Sequence, residues 1–280
     1  MLTNLNPLIE YALENKTAVL SVNIFSYEDA LAVIQASEEM NQPVVLAVSK
    51  DMAEYMPLNI LGAMLTKMAQ ESSVDVCVHL DHCYDISIIQ QAIDCGFSSV
   101  MFDGSQHPLQ ENIDLTSQVV GLAKGKGVTV EGEIGSVPYT EGRDHIKHEL
   151  TSPDEAQSFF EKSGVDVMAV SVGNIHRVNG QKIRPNFDLL SQIEQVVNAP
   201  LCIHGASGIM EEDIQILATK HRVVKFNYAT TIRAEWGNRL RELMNKEPEK
   251  FDRLYFMNLL QPYIVKKLKH LTNLLKNGKN

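Results

Sequence analysis

The sequence lacks most features that mark secreted, membrane-spanning or nucleic-acid-binding proteins. Its 280 residues include four cysteines, none of them in a Cys-x-x-Cys pair, and all four lie in or beside apolar runs. This pattern is typical of buried free thiols in a reducing compartment, so we expect a cytoplasmic protein. No apolar run approaches the ~18 residues of a membrane span, so no membrane partner is expected. The first residues have neither a basic segment nor a long apolar stretch, so no signal peptide is expected.

Positive charge is also scarce. The chain has 25 Lys and Arg against 35 Asp and Glu, which gives a formal net charge of -10. Such a chain is not expected to bind nucleic acid, because the phosphate backbone attracts basic proteins. The composition suits a soluble metabolic enzyme. An anionic substrate would need locally placed donors, since the overall field of the protein would repel it.

The sequence does contain eight apolar, strand-like runs that alternate with helical patterns. This alternation predicts an α/β protein with a (β/α)8 TIM barrel. An amphipathic stretch at the C-terminal end predicts an extra helix over 259–275. No linker or domain break is evident, so we expect one TIM-barrel domain over 1–280. The predicted strands are 18–24, 44–49, 76–82, 99–102, 128–133, 167–172, 201–204 and 223–227.

Three histidines are the best candidates for metal ligands: His82, His176 and His204. Each lies at or shortly after a strand end, where barrel enzymes keep their chemistry. Three protein ligands with an open fourth position are typical of catalytic zinc. Ordinary loop histidines with structural hydrogen bonds are the alternative, and spacing alone leaves both open. His79 lies within its strand, which favours a buried supporting role. The remaining histidines lack this setting: His107, His145, His148, His221 and His270.

Three acids lie at the same strand ends. Asp81 is adjacent to His82, and alternation along a strand should point the two side chains differently, which leaves Asp81 free to act as an acid. Asp103 and Glu133 are candidates for a second or alternate metal position. Structural anchoring is the alternative for each of the three.

Two turns have the composition of a phosphate site. Gly205-Ala206-Ser207-Gly208 follows the seventh predicted strand, and Asn227-Tyr228-Ala229-Thr230 follows the eighth. In this fold, the loops after these strands commonly bind phosphate through backbone N–H groups and helix N-termini.

Taken in order, these motifs resemble the class II, zinc-dependent ketose-bisphosphate aldolases, a family that includes fructose- and tagatose-1,6-bisphosphate enzymes. The resemblance extends over about 23–233. Six motifs carry it: His79-Leu80-Asp81-His82, Phe102-Asp103-Gly104-Ser105, Glu131-Gly132-Glu133-Ile134-Gly135, Gly173-Asn174-Ile175-His176, His204-Gly205-Ala206-Ser207-Gly208 and Lys225-Phe226-Asn227-Tyr228-Ala229-Thr230.

The resemblance implies a role for each matched residue. Asp81 matches the acid that handles the aldehyde oxygen, and Glu141 matches the base that removes the proton from the ketone. The implied zinc ligands are His82, His176 and His204, with Asp103 and Glu133 as a second position for a divalent or monovalent cation. The implied dihydroxyacetone-phosphate site is Gly205, Ser207, Asn227 and Thr230. The implied positions near the aldehyde partner are Asn23 and Ser49.

The chain departs from the family pattern at several positions around the implied phosphate site. Arg177 stands where the family usually has glycine, Ala206 replaces the second glycine of Gly-Gly-Ser, and Asn179 stands where a tyrosine is common. Ala229 is what tagatose-type members tend to have where fructose-type members have aspartate. These differences concern the substrate more than the chemistry. We therefore include Arg177, Ala206 and Ala229 among the candidate substrate-binding residues.

The leading hypothesis is an active aldolase that cleaves a ketose phosphate, such as tagatose or fructose 1,6-bisphosphate, into dihydroxyacetone phosphate and glyceraldehyde 3-phosphate. One alternative is a non-catalytic or specialised paralogue that acts on another ketose phosphate. Another is a metal-dependent hydrolase barrel, which would need a water-activating base against the metal. The resemblance also implies a homodimer or homotetramer.

Overall fold

The computed structural model describes residues 1–140, 148–180 and 182–276. Eight parallel strands pair in chain order, and the last pairs with the first to close a barrel. A short strand β1 (Leu2–Thr3) lies beside the start of β4. The barrel strands are β2 (Val19–Asn23), β3 (Val44–Ser49), β4 (Val76–Cys83), β5 (Ser99–Phe102), β6 (Thr129–Ile134), β7 (Val167–Val170), β8 (Leu201–Ile203) and β9 (Val223–Tyr228).

Helices separate successive strands, which confirms the predicted (β/α)8 architecture. All eight predicted strands are present, each close to its predicted bounds. Glycine-rich and polar loops connect the elements. The helices are α1 (Leu5–Asn15), α2 (Tyr27–Met40), α3 (Lys50–Tyr55), α4 (Leu58–Glu71), α5 (Ile86–Asp94), α6 (Leu109–Ala123), α7 (Pro153–Ser163), α8 (Phe187–Val196), α9 (Glu211–Lys220), α10 (Thr230–Lys246) and α11 (Arg253–Leu275).

Side chains alternate along each barrel strand between the helices and the barrel interior. Val78 and Leu80 of β4 belong to the large apolar cluster between strands and helices. His79 and Asp81 belong to the other set and are buried. Because the interior positions near the C-terminal ends of the strands are polar, that end of the barrel can contain an active site.

Helix α1 closes the opposite end of the barrel, and the sequence interpretation missed it. Its apolar residues Leu5, Leu8, Ile9 and Ala12 pack with a separate buried cluster that includes Met101 and further residues from the starts of the strands. The spacing of these α1 residues is that of one helix face. Because α1 covers the N-terminal ends of the strands, the open mouth of the barrel is at their C-terminal ends.

The predicted C-terminal helix is confirmed as α11, which begins six residues earlier than expected, at Arg253 rather than at 259. Its buried residues, including Ile264 and Leu268, join the main cluster, and the helix packs against α2, α9 and α10 on the outside of the barrel. None of the helices in the described ranges has the length and apolar character that crossing a bilayer requires.

Candidate active site

A β-bulge places the first metal candidate. Leu80 pairs with Val100 and Cys83 with Phe102, so β4 has one more residue than β5 between these two pairs. Within the bulge, His82 has a left-handed backbone with φ of 48°. Bulges of this kind re-aim side chains next to active sites. The consequence is that Asp81 and His82 line the same pocket at the mouth of the barrel, whereas the alternation of side chains along a regular strand would point them to different sides.

The three predicted histidines converge at the mouth of the barrel. One ring nitrogen from each of His82, His176 and His204 lies within 4.8 Å of the other two. The ring centroids of His82 and His204 are 4.4 Å apart, and those of His82 and His176 are 4.9 Å apart. We call this set the histidine trio. Residues far apart in the chain are therefore brought together at the strand ends, as predicted.

The hydrogen bonds of the trio leave metal-binding nitrogens facing one another. His82 Nδ1 lies 2.8 Å from Asp103 Oδ2 and donates there, which leaves Nε2 as the atom of this ring that a metal could bind. His204 Nε2 lies 2.8 Å from Glu131 Oε1 and donates there, so its Nδ1 carries the lone pair, which lies 3.3 Å from the Asn227 side-chain amide. The Nε2 atoms of His82 and His176 are buried without a hydrogen-bond partner. Buried unpaired imidazole nitrogens in this arrangement fit a metal ion.

The pKa shifts of two of the three histidines favour the neutral form that metal binding requires. Burial lowers the pKa of His176 and of His204 well below the usual value, so both rings are neutral, as metal ligands must be. Burial has the same tendency at His82, but the nearby Tyr139 together with the carboxylates of Asp81 and Asp103 outweighs it and raises the pKa of His82. Metal binding at the trio must therefore displace a proton from His82.

Asp103 and Glu133, predicted as a second metal position, lie on the far side of the His82 ring. With His82 they form a second group of candidate ligand atoms. Asp103 is engaged as the acceptor of His82 Nδ1 and also accepts the Ser105 hydroxyl at 2.7 Å. Glu133 accepts the Val137 N–H, whereas its Oε2 has no hydrogen-bond partner and lies 3.6 Å from His82 Nδ1. In this arrangement Asp103 orients His82.

A buried ion pair beneath the trio was missed by the sequence interpretation. Lys225 Nζ lies 2.6 Å from Glu131 Oε2, and the other Glu131 oxygen holds His204. Burial opposes ionisation of Glu131, but Lys225 lowers its pKa and keeps it a carboxylate. His79 Nε2 lies 3.7 Å from Glu131, which agrees with the supporting role predicted for it. A third ligand group contains Glu131, Cys202 and His204, but burial raises the pKa of the Cys202 thiol well above its usual value.

Two asparagines hold Asp81 beside the trio. Asn23 donates to Asp81 Oδ2 at 2.8 Å, and Asn227 donates to Asp81 Oδ1 at 2.9 Å. Burial opposes ionisation, but His82 and His204 lower the pKa of Asp81. The carboxylate is therefore ionised, held in a fixed orientation, and 3.9 Å from His204 Nδ1.

The predicted phosphate turns border the same pocket. Gly205 has φ of 68°, and a Cβ atom there would lie 2.4 Å from the Ile175 carbonyl oxygen, so only glycine permits this close approach. The Ser207 hydroxyl accepts the Thr231 N–H near the start of α10. Gly205, Ser207 and Thr230 all line the pocket. A helix N-terminus at such a turn favours an anion.

The other candidate residues have different surroundings. Ser49 and Ala229 line the pocket. Ala206 does not: it is buried in the main apolar cluster, so its methyl group does not narrow the pocket. The candidate base Glu141 lies outside the described residues, as does His145.

The pocket also includes residues that the sequence interpretation missed. Tyr139 stacks on the His176 ring, with centroids 4.4 Å apart. Phe25, Lys50, Asp51 and Arg233 complete the rim. Arg233 lies over the Phe25 ring. Long side chains that reach a pocket from loops have no local sequence signal, although Lys50 and Asp51 directly follow the candidate Ser49.

Comparison with known proteins places this site in a family. Residues 3–279 match the sequence profile described as Fructose-bisphosphate aldolase class-II. The chain is 34% identical over 259 residues to a fructose-bisphosphate aldolase of Geobacillus stearothermophilus, covering 90% of this chain and 88% of the relative. It is 33% identical over 270 residues to a 6-phospho-5-dehydro-2-deoxy-D-gluconate aldolase of Shouchella clausii, covering 94% and 92%.

Similarity to solved structures agrees. The crystal structure of the YdjI aldolase from Escherichia coli K12 matches with a TM-score of 0.86 and 26% identity, and the match covers 99% of both chains. The chain belongs to the class-II fructose-bisphosphate aldolase family.

Proposed function

We propose that this protein is a zinc-dependent aldolase that reversibly cleaves a ketose phosphate into dihydroxyacetone phosphate and an aldehyde. The observation that carries the proposal is the histidine trio, in which one ring nitrogen from each residue faces the other two beside an ionised, fixed Asp81, and two of these nitrogens have no hydrogen-bond partner. Neutral imidazoles are favoured ligands of zinc. His82, His176 and His204 would hold the ion. When bound, zinc supplies Lewis acidity toward the carbonyl and hydroxyl oxygens of a ketone.

Side chains and backbone groups of the protein bind the phosphate and transfer the protons. The turn with Gly205 and Ser207 and the start of α10 bind the phosphate of the ketone half and fix its orientation. In the cleavage direction, ionised Asp81 accepts the proton of the hydroxyl that becomes the aldehyde oxygen, and in synthesis it returns that proton. The resemblance assigns the proton transfer at the ketone carbon to Glu141.

Both alternatives fit the site less well. A hydrolase would need one base that activates water against the metal, whereas the family resemblance divides proton transfer between Asp81 and Glu141. A non-catalytic paralogue would have no need of a fixed carboxylate beside three convergent imidazoles. A paralogue specialised for another ketose phosphate remains compatible, and the two relatives above are themselves named for different substrates.

The test combines metal analysis with two half-reactions. We expect about one zinc per chain, loss of cleavage on chelation, and recovery on adding zinc. His204→Ala should lose both zinc and activity. Asp81→Ala should still exchange the α-proton of dihydroxyacetone phosphate with solvent but lose cleavage by about 10²–10⁴-fold. Full cleavage in excess chelator would contradict the zinc proposal, and loss of exchange in Asp81→Ala would contradict the role of Asp81.

The setting of the enzyme is also part of the proposal. The four free thiols, three of them buried, suit a reducing cytoplasm. A role in carbohydrate metabolism and a homodimeric or homotetrameric assembly are implied by the family resemblance, and the assembly can be checked by sedimentation.

A further inference from the structure

One ion pair crosses the mouth of the barrel directly over the pocket. Asp51 lies in the first turn of α3, after β3, whereas Arg177 lies in the loop after β7. In this closed eight-stranded barrel, β3 and β7 lie on opposite sides. Arg177 Nη2 is 3.4 Å from Asp51 Oδ2, and both residues line the pocket. We call this contact the mouth bridge.

The backbone of Arg177 is held independently of the bridge. Its φ is 59°, in the left-handed region that glycine adopts without cost. Its carbonyl oxygen accepts the Thr140 hydroxyl, and its guanidinium lies 5.4 Å from the centre of the Tyr139 ring. Tyr139 in turn stacks on His176. A strained backbone with a long side chain at a position suited to glycine points to a use for that side chain.

The bridge itself contributes little stability. The side chains of Arg177 and Asp51 are 29% and 56% exposed. Exposed pairs of this kind are typically worth about 0–1 kcal/mol. An anion on a bound substrate can therefore take the place of Asp51, because a planar guanidinium binds carboxylate, phosphate or sulfonate groups through paired hydrogen bonds.

The location of the guanidinium identifies the part of the substrate that it meets. Arg177 itself follows β7, which adjoins β8 and its phosphate turn, but its guanidinium lies against Asp51. Asp51 is two residues from Ser49, and β3 is separated from β8 by β2 and β9. Lys50 and Arg233 line the same pocket, so three cationic side chains surround its rim. In a protein with a net charge of -10, a local cationic rim is what attracts an anion.

We propose that Arg177 is a specificity-determining residue that binds an anionic group at the far end of the aldehyde partner. Asp51 holds the arginine across the mouth until the substrate anion replaces it. This inference rests on the proposed aldolase function and names its substrate class: aldehydes that end in a phosphate, carboxylate or sulfonate.

The test measures synthesis from dihydroxyacetone phosphate by the zinc-loaded enzyme, with aldehydes matched in length. Glyceraldehyde 3-phosphate is compared with uncharged glyceraldehyde, and a carboxylate-ended and a sulfonate-ended aldehyde distinguish the anions. Arg177→Gly keeps a residue suited to the backbone and should lower kcat/KM by about 10–100-fold for the preferred anionic aldehyde, as expected for one lost charge-assisted contact. The uncharged aldehyde should change less than about threefold.

The aspartate provides the second arm. Asp51→Asn should lower the KM of the anionic aldehyde several-fold, and this gain should vanish in the Arg177→Gly background. Arg253→Ala is the matched control, because the exposed Arg253 forms an equally long ion pair with Glu28 outside the pocket. Equal losses with charged and uncharged aldehydes in Arg177→Gly would overturn the inference, as would a gain from Asp51→Asn without Arg177.

Proton exchange into dihydroxyacetone phosphate without aldehyde separates this inference from the proposed function. The control Arg253→Ala should retain it at the wild-type rate, and the exchange rate of each rim variant is measured beside it so that its loss in synthesis is expressed relative to exchange. A wild-type enzyme without exchange would contradict the proposed function, whereas normal exchange with unaltered charge preference in Arg177→Gly would contradict only the role of Arg177.

Discussion

Removing the charge of Lys225 should damage both folding and metal binding. The side chains of Lys225 and Glu131 are 3% and 0% exposed, and their charged atoms are 2.6 Å apart. Lys225→Met keeps length and volume but leaves the Glu131 carboxylate buried without its cation. Breaking a buried pair in this way typically costs about 3–5 kcal/mol. We expect a loss of this size in the free energy of unfolding.

A double-mutant cycle separates the pair from its surroundings. Glu131→Gln alone leaves the Lys225 ammonium buried and uncompensated, so it should also destabilise. In the double variant neither charge remains, so the combined loss should be smaller than the sum of the single losses by about 2–3 kcal/mol. Urea unfolding, followed by the fluorescence of the single tryptophan, measures these values with chelator present so that bound metal does not contribute.

The same variants test the link to the trio. Glu131 fixes the tautomer of His204, so Lys225→Met should weaken zinc binding by about 10–100-fold, the usual effect of losing a group that orients a ligand. Competition with a chromophoric chelator measures this affinity. Additive stability losses together with unchanged zinc affinity would refute the reasoning.

Two further predictions concern the scaffold. Gly132→Ala should lower the free energy of unfolding by about 1–3 kcal/mol, because a Cβ atom would lie 2.7 Å from the buried Phe159 ring. The control Gly121→Ala, at an exposed position of α6, should stabilise the protein slightly. Equal shifts in the melting temperatures of the two variants would contradict this prediction. Burial raises the pKa of Asp29 to about 6, so the folded state holds a proton that the unfolded state releases near pH 4. The free energy of unfolding should therefore fall by about 2 kcal/mol between pH 4 and pH 6 relative to that of Asp29→Asn. If urea denaturation gives the two proteins the same pH dependence, the reasoning is wrong.

The strands and the trio were predictable because their signals are local. Each barrel strand is a short apolar run, and the three histidines lie at or just beyond strand ends. The bulge at His82 was not predictable from alternation, since one inserted residue reverses which face every following side chain meets. The sequence therefore indicated which residues form the site, but not that Asp81 and His82 share one pocket.

Contacts between residues that are far apart in the chain were also not predicted from the sequence. The Lys225–Glu131 pair spans 94 positions and the mouth bridge spans 126. Two charged residues within apolar strands were a usable signal for the first, because a buried charge requires a partner. No such signal exists for exposed side chains, so Asp51 became visible only once the barrel placed β3 opposite β7. Helix α1 could have been predicted from the spacing of its apolar residues, but it was overlooked.

The polar interior also explains why the trio suits a divalent cation. Glu131 is neutralised by Lys225, but Asp81, Asp103 and Glu133 surround His82 with more carboxylates than the described cations of the site balance. Burial and the nearby Asp103 raise the pKa of Glu133, and the carboxylates raise the pKa of His82, so protons offset this excess. A divalent ion at the trio would supply the same compensation with two positive charges and would also bind the ring nitrogens that face one another. Because ion and protons compete for one set of groups, metal binding must release protons, and zinc affinity should rise with pH.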